Sequence, residues 1–142
     1  MKLSTRGQYA VMALAEIASA EATGPVKLTD IADRQGISYR YLEQLFGKLS
    51  RHGIVKGVKG PAGGYLLARK LSDISLLDIM EAVDEPIKTT RCDAQTVGFC
   101  QSNTHVCRTH RVWVELGATI SHFLASKTLA DFVDEPQSEL KA

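Results

Sequence analysis

The stretch LTDIADRQGISYRYLEQLFGKLSRHGIV, residues 28–55, decides the fold. Ile31 and Ala32 mark the inner side of a short helix over 29–35, which stops at Gly36. Ser38 is a good N-cap for a second helix running to about His52. Its inward positions are Tyr41, Leu42, Leu45, Phe46 and Leu49, and its opposite face carries Arg40, Glu43, Gln44, Lys48 and Arg51. Two helices joined by a tight glycine-containing turn make a helix-turn-helix. After Gly53 the period changes: IVKGVKGPAGGYLLA, residues 54–68, reads as a strand, a Gly/Pro turn and a second strand. A hairpin directly after such a helix makes the unit a winged helix-turn-helix.

The flanks agree. LSTRGQYAVMALAEIASAE (3–21) is a helix starting near Ser4 or Thr5. Tyr9, Met12, Ala13 and Ile17 form one apolar face, and Val11, Leu14, Ala15 and Ala18 another, so it needs cover on two sides. Lys2 and Arg6 put cations at the positive end of its dipole, an unfavourable placement unless an anion sits nearby. ISLLDIMEAVDE (74–85) is a compact helix with Ser75 as N-cap and Asp78 three residues on, a capping-box variant. From Glu85 to about Val106 the chain has turn and polar character. Helical spacing then returns through Val112, Leu116, Ile120, Phe123 and Leu124. Gly117 in mid-helix costs about 1 kcal/mol relative to alanine, which close approach of another helix would explain.

The expected architecture is mainly α with a small β-hairpin wing: a winged helix-turn-helix domain plus a long C-terminal dimerisation helix. Residues 1–84 are expected to form the winged helix-turn-helix domain, 85–107 a polar loop, 108–133 the long helix with a short terminal helix, and 134–142 a polar tail. A dimer interface is expected along 111–126, partly covering the first helix.

Charge points the same way. The 142 residues carry a net charge of only +1, but residues 1–75 balance to +5 and residues 76–142 to −4. Between Arg34 and Lys70 there are eight basic residues and one acid, Glu43. A basic half suits a polyanion. On the second helix, Arg40 suits guanine, Gln44 adenine and Glu43 the cytosine amino group. Lys48, Arg51 and the helix N-terminus at Ser38 suit phosphates. Lys56, Lys59 and Gly60 lie on a thin basic wing fit to approach a minor groove or sugar-phosphate edge.

Other classes fare worse. No Walker lysine-serine pair accompanies the glycines, and the loop joins two strands instead of opening a helix. GISYR lacks the flanking glycine of a nucleophile elbow, and the carboxylates are scattered, so an enzyme is not expected. Cys107 and His110, one helical turn apart, are the only nucleophile and base worth weighing. No run approaches a membrane span, and MKLSTRGQYA lacks the apolar region of a signal peptide, so a cytoplasmic protein is expected.

All three cysteines fall in RCDAQTVGFCQSNTHVCRTH, residues 91–110. Cys92, Cys100, Cys107 and His110 are separated by seven, six and two residues. An odd number of cysteines argues against a disulfide framework, and structural zinc usually takes CxxC knuckles, absent here. Widely spaced soft ligands fit an iron–sulfur cluster at least as well as zinc, and spacing alone does not separate them. His110 is the preferred nitrogen ligand, with His105 a substitute; His52 and His122 read as ordinary helix residues.

The blocks LSTRGQYAVMALAEIA, DIADRQGISYRYLEQLFGKLSRHGIVKGVKGPAGGYLLAR, AVDEPI and CRTHRVWVELGATISHFLASKTLADFV together resemble the IscR-type regulators, a group of bacterial winged-helix repressors, over nearly the whole chain. The resemblance implies a homodimeric transcription factor that binds double-stranded promoter DNA. It also implies a 2Fe–2S cluster on Cys92, Cys100, Cys107 and His110, supplied by the iron–sulfur cluster assembly machinery, and control of the genes for that machinery. Three features depart from the pattern. The cysteine gaps are longer than usual, Lys59 stands where arginine is common, and position 8 is Gln8 where a neighbouring subgroup has a ligating aspartate. Two alternatives stay open: a winged-helix repressor whose thiols bind zinc or sense oxidants, and a non-DNA interaction module.

Overall fold

The computed structural model describes residues 4–85, 87–89 and 108–133. Its elements run α1 (Thr5–Ser19), α2 (Leu28–Gln35), α3 (Tyr39–Arg51), β1 (Val55–Val58), β2 (Gly64–Leu67), a 3₁₀ turn (Leu71–Asp73), α4 (Leu76–Ala82), α5 (His110–Ser126) and α6 (Ala130–Val133). The expected fold class stands: helices carry the structure and one antiparallel hairpin forms the wing. The local signals act as read. Gly36 closes α2 in the left-handed conformation, φ +64°. The Ser38 hydroxyl accepts from the Tyr41 amide at 3.4 Å to open α3. Ser75 and Asp78 exchange both bonds of the capping box, each 3.1 Å.

Leu14, Ile17, Ile31, Leu42, Phe46, Leu49, Ile54 and Ile79 are fully buried, so α1, α2, α3 and α4 share one aliphatic core. Phe46 is its largest piece, and the Tyr65 ring of β2 meets it edge-on at 4.9 Å. This contact ties the wing to α3. Two further links set their relative position. The Arg69 guanidinium donates to the His52 carbonyl at 2.8 Å and the Gly53 carbonyl at 3.2 Å, closing the C-terminus of α3. The chain before α2 also joins the wing: Val26 and Tyr65 exchange amide and carbonyl at 3.0 and 2.8 Å. Only glycine allows that approach at position 64, where a Cβ would lie 2.5 Å from the Val26 carbonyl oxygen.

Gly47 sits in the middle of α3 with open space where its Cβ would be. Alanine there removes backbone freedom from the unfolded chain without a clash. Gly47→Ala is therefore expected to raise stability by about 0.5–1 kcal/mol, read as a higher urea midpoint at unchanged slope.

After α5 the chain doubles back: Leu76 donates to the Lys127 carbonyl at 2.9 Å and Leu129 to the Ile74 carbonyl at 3.1 Å. Leu129 is thereby fully buried. The expectation for Gly117 needs correcting. The atom over it is the Thr89 hydroxyl, which would lie 2.6 Å from a Cβ and which donates to the Trp113 carbonyl at 2.6 Å. Within the single chain the glycine is accounted for by the segment of residues 87–89 lying on α5. Of α5 itself only Leu124 is buried, while Val112, Trp113, Val114 and Phe123 are exposed. Met12 on α1 is exposed as well, so one of the two apolar faces of α1 lacks full cover within the single chain.

Candidate nucleic-acid interface

Ser38, Arg40, Glu43, Gln44 and Arg51 all lie exposed on the side of α3 turned away from Phe46 and Leu49. Lys56 on β1 and Lys59 and Gly60 at the hairpin tip are exposed too. Between the start of α3 and the wing lies an open groove of about 440 Å³, lined by Tyr39 and Glu43 on one side and Lys59 and Gly60 on the other. Its floor is completed by Lys27 and Thr29. Lys27, Thr29 and Tyr39 were not legible as site residues, because only the Val26–Tyr65 pairing brings the start of α2 to the wing. A cation, a hydroxyl and a phenol thus join the groove beside the residues read as DNA contacts.

Lys48 differs from its neighbours. Its side chain is half-buried, and its ammonium donates to the Asp84 carboxylate at 2.8 Å. Asp84 follows α4 in the left-handed conformation, φ +57°, uncommon for a residue with a side chain. The Lys48 hydrogen bond and charge hold the Asp84 carboxyl below the usual range, with Arg6 and His52 adding to the effect.

The next residue answers the charge pattern of α1. The Glu85 carboxylate accepts from the Ser4 amide at 2.5 Å, the Ser4 hydroxyl at 2.5 Å and the Gly7 amide at 2.8 Å. It is 8% exposed and crowns the N-terminus of α1, where the sequence left Arg6 beside the positive end of a dipole. Gly7 leaves room for it: a Cβ there would meet Met80 Sδ at 2.3 Å and the Glu85 carboxylate at 2.9 Å. Burial pushes the Glu85 carboxyl up, but the hydrogen bonds from Ser4 and Gly7 and the charge of Arg6 outweigh it and hold the group below its ordinary value.

His110 is the first residue of α5, and its Nδ1 is buried with no hydrogen-bond partner among the described residues. A buried ring nitrogen without a partner is costly unless its lone pair is used. Cys92, Cys100, Cys107 and His105 lie outside the described residues, as do the rest of the proposed cluster loop from 90 and the tail from 134. Among the described residues no three His, Cys, Asp or Glu side chains converge as metal ligands. No described helix is long and apolar enough to cross a membrane.

Known proteins match this frame. Residues 3–135 match the model of the Rrf2 family, described as iron-dependent transcriptional regulators. The chain is 43% identical over 137 residues to the HTH-type transcriptional regulator IscR of Klebsiella pneumoniae, covering 96% of this chain and 82% of that one. It is 45% identical over 133 residues to the putative HTH-type transcriptional regulator ORF2 of Azotobacter vinelandii, covering 94% and 79%. Among solved structures, T. potens IscR superposes with a TM-score of 0.78 at 35% identity, covering 100% of this chain and 92% of the other. CymR, the global cysteine regulator of B. subtilis, gives 0.79 at 28% identity, covering 94% and 96%. These regulators are not enzymes, and the exposed α3 and wing sit on the frame they share. The chain belongs to the Rrf2 family and is a DNA-binding transcriptional regulator of the IscR type.

Proposed function

We propose that this chain acts as a cytoplasmic homodimer that represses promoters of iron–sulfur cluster assembly genes and senses cluster status through a 2Fe–2S cluster. The ligands are Cys92, Cys100, Cys107 and His110. The observation that carries the cofactor reading is the orphaned, buried Nδ1 of His110 at the head of α5. A buried ring nitrogen that neither donates nor accepts among the described residues has its lone pair free for a metal. When bound, a 2Fe–2S cluster would supply a group that responds to oxidants and iron supply. The chain's own part is to fix one ligand on a rigid helix and to bring three more from the segment beyond Thr89.

On DNA, each protomer of the dimer places α3 in a major groove of a pseudo-palindromic site. Arg40, Glu43 and Gln44 read base edges there. Ser38, Arg51, Lys56, Lys59 and Gly60 position the helix on phosphate and sugar, while the Lys48 ammonium is held by Asp84. The groove between α3 and the wing supports this reading, since a duplex edge entering it meets the Lys59 cation of the wing and Lys27 from the start of α2.

A second reading keeps the DNA site and gives the thiols to zinc or to direct oxidant sensing. It draws on the likeness to CymR, whose name ties that regulator to cysteine.

One experiment separates the two: visible absorption, iron and acid-labile sulfide measured on protein purified without oxygen. The cluster reading expects visible bands and roughly two iron and two sulfide per protomer. Cys92→Ala is expected to lose the colour, keep the dimer and change affinity for promoter DNA. Colourless protein that still binds promoter DNA, with zinc or no metal, decides for the second reading. Unfolding of Cys92→Ala would mark a structural metal.

A further inference from the structure

We infer that Asp84 is a built-in counter-charge that holds Lys48 off the DNA backbone. The inference deepens the reading of α3 as the DNA-facing helix and rests on it. Lys48 lies one turn beyond Gln44, at the edge of the exposed face, where a lysine on a groove-bound helix reaches a flanking phosphate. Of the three cations on α3, Arg40, Lys48 and Arg51, Lys48 is the one paired with a carboxylate among the described residues.

The backbone that carries the carboxylate is fixed in advance. The Asp84 amide donates to the Glu81 carbonyl at 3.2 Å in the turn that ends α4. The Glu85 amide donates to the Met80 carbonyl at 2.9 Å, and the Glu85 side chain is anchored on Ser4 and Gly7. Asp84 therefore cannot drift away with a loop, and it sits in a conformation that a free aspartate seldom adopts. Ordinary surface pairs are weak because two floppy side chains must be ordered. Here the backbone of one partner is already fixed, and the other is half-buried along its stem. A phosphate that recruits Lys48 must displace this carboxylate and lie beside it. Both raise the cost of the contact, and both vanish in Asp84→Asn.

The test is the salt dependence of binding to a duplex of arbitrary sequence, by fluorescence anisotropy. It uses the full-length protein and three variants: Asp84→Asn, Lys48→Ala and the double. Circular dichroism confirms that each is folded. Wild type and Lys48→Ala are expected to share one slope of log affinity against log salt, because Lys48 makes no phosphate contact in either. Asp84→Asn is expected to bind on the order of fivefold more tightly at low salt, with a slope steeper by about 0.9, the release of one more counter-ion. In the double variant the gain disappears. The inference is overturned if Lys48→Ala alone flattens the slope, if Asp84→Asn leaves it unchanged, or if the gain survives without Lys48 as a mere loss of negative charge. Wild-type protein that binds no duplex at all would sink the DNA reading, and this inference with it.

Discussion

Glu85→Ala is expected to lower the stability of the folded chain by about 2–4 kcal/mol, measured by urea unfolding. Three donors converge on one carboxylate: the Ser4 amide, the Ser4 hydroxyl and the Gly7 amide. Hydrogen bonds to a charged group contribute about 1.5–3 kcal/mol each, and a buried donor left unpaired costs about 1–3 kcal/mol. Ser4 is only partly buried, so water rescues part of its share, and the loss falls short of the sum. The Gly7 amide, beneath Met80 and inside the core, has no such rescue. Glu85→Gln keeps the shape but loses the charge opposite Arg6 and the dipole of α1, so it should fall between wild type and alanine.

The same site gives the acid limb of the stability profile. Asp84 and Glu85 both have carboxyl groups held below their ordinary values in the folded chain. A group depressed in this way binds protons more readily when unfolded. Its contribution is complete above the unfolded value, 4.5 for glutamate, and is lost as pH falls through the lower folded one. Stability from these two groups is therefore expected to be level above about pH 5 and to decline below it. Glu85→Ala should flatten part of that decline. A wild-type and variant profile that run parallel down to pH 3 would mean that Glu85 is not the anion that α1 requires.

What was legible in the sequence follows the range of the interactions involved. The helix-turn-helix and wing were readable because Gly36, Ser38, Gly53 and the alternation after it act on their immediate neighbours. The Ser75–Asp78 box spans three residues and was read outright. Arg6 and Lys2 announced that α1 needs an anion, but nothing local says which one. Glu85 is 78 and 81 residues away from its partners, and only the packing of α4 on α1 delivers it. Lys48 looked like any solvent-facing lysine because its partner lies 36 positions on. Gly117 was rightly seen as a place of close approach but given to another helix, since a threonine from residues 87–89 leaves no periodic trace. The groove residue Lys27 was missed for the same reason: a single bridge, Val26 to Tyr65, brings it to the wing. Local chemistry specified the elements, and long-range packing decided which charges remain available.

Phe123→Asp is expected to leave each chain folded, to abolish the proposed dimer, and to lower affinity for a promoter site by at least about a hundredfold. In the single chain α5 spends 17 residues to bury Leu124 alone. Val112, Leu116, Ile120 and Phe123 recur at helical spacing along one side, with Val112 59% and Phe123 58% exposed. An apolar stripe of that extent is seldom left to water in a protein of this size. With Gly117 now assigned to Thr89, the case for a second copy rests on this stripe instead. In a two-fold interface each substitution acts twice. Each lost phenylalanine removes about 2–3 kcal/mol of burial, and each new carboxylate must be desolvated, so the dimer weakens by more than about 5 kcal/mol. Two tethered half-site readers gain a factor of about 10² to 10⁴ over one, and that gain is lost on dissociation. Sedimentation and promoter binding check the two halves separately. A variant that stays dimeric moves the interface off Phe123, whereas a monomer with full promoter affinity means that one α3 and one wing suffice. Loss of both, in a chain that circular dichroism shows still folded, ties the exposed face of α5 to the reading of DNA by α3.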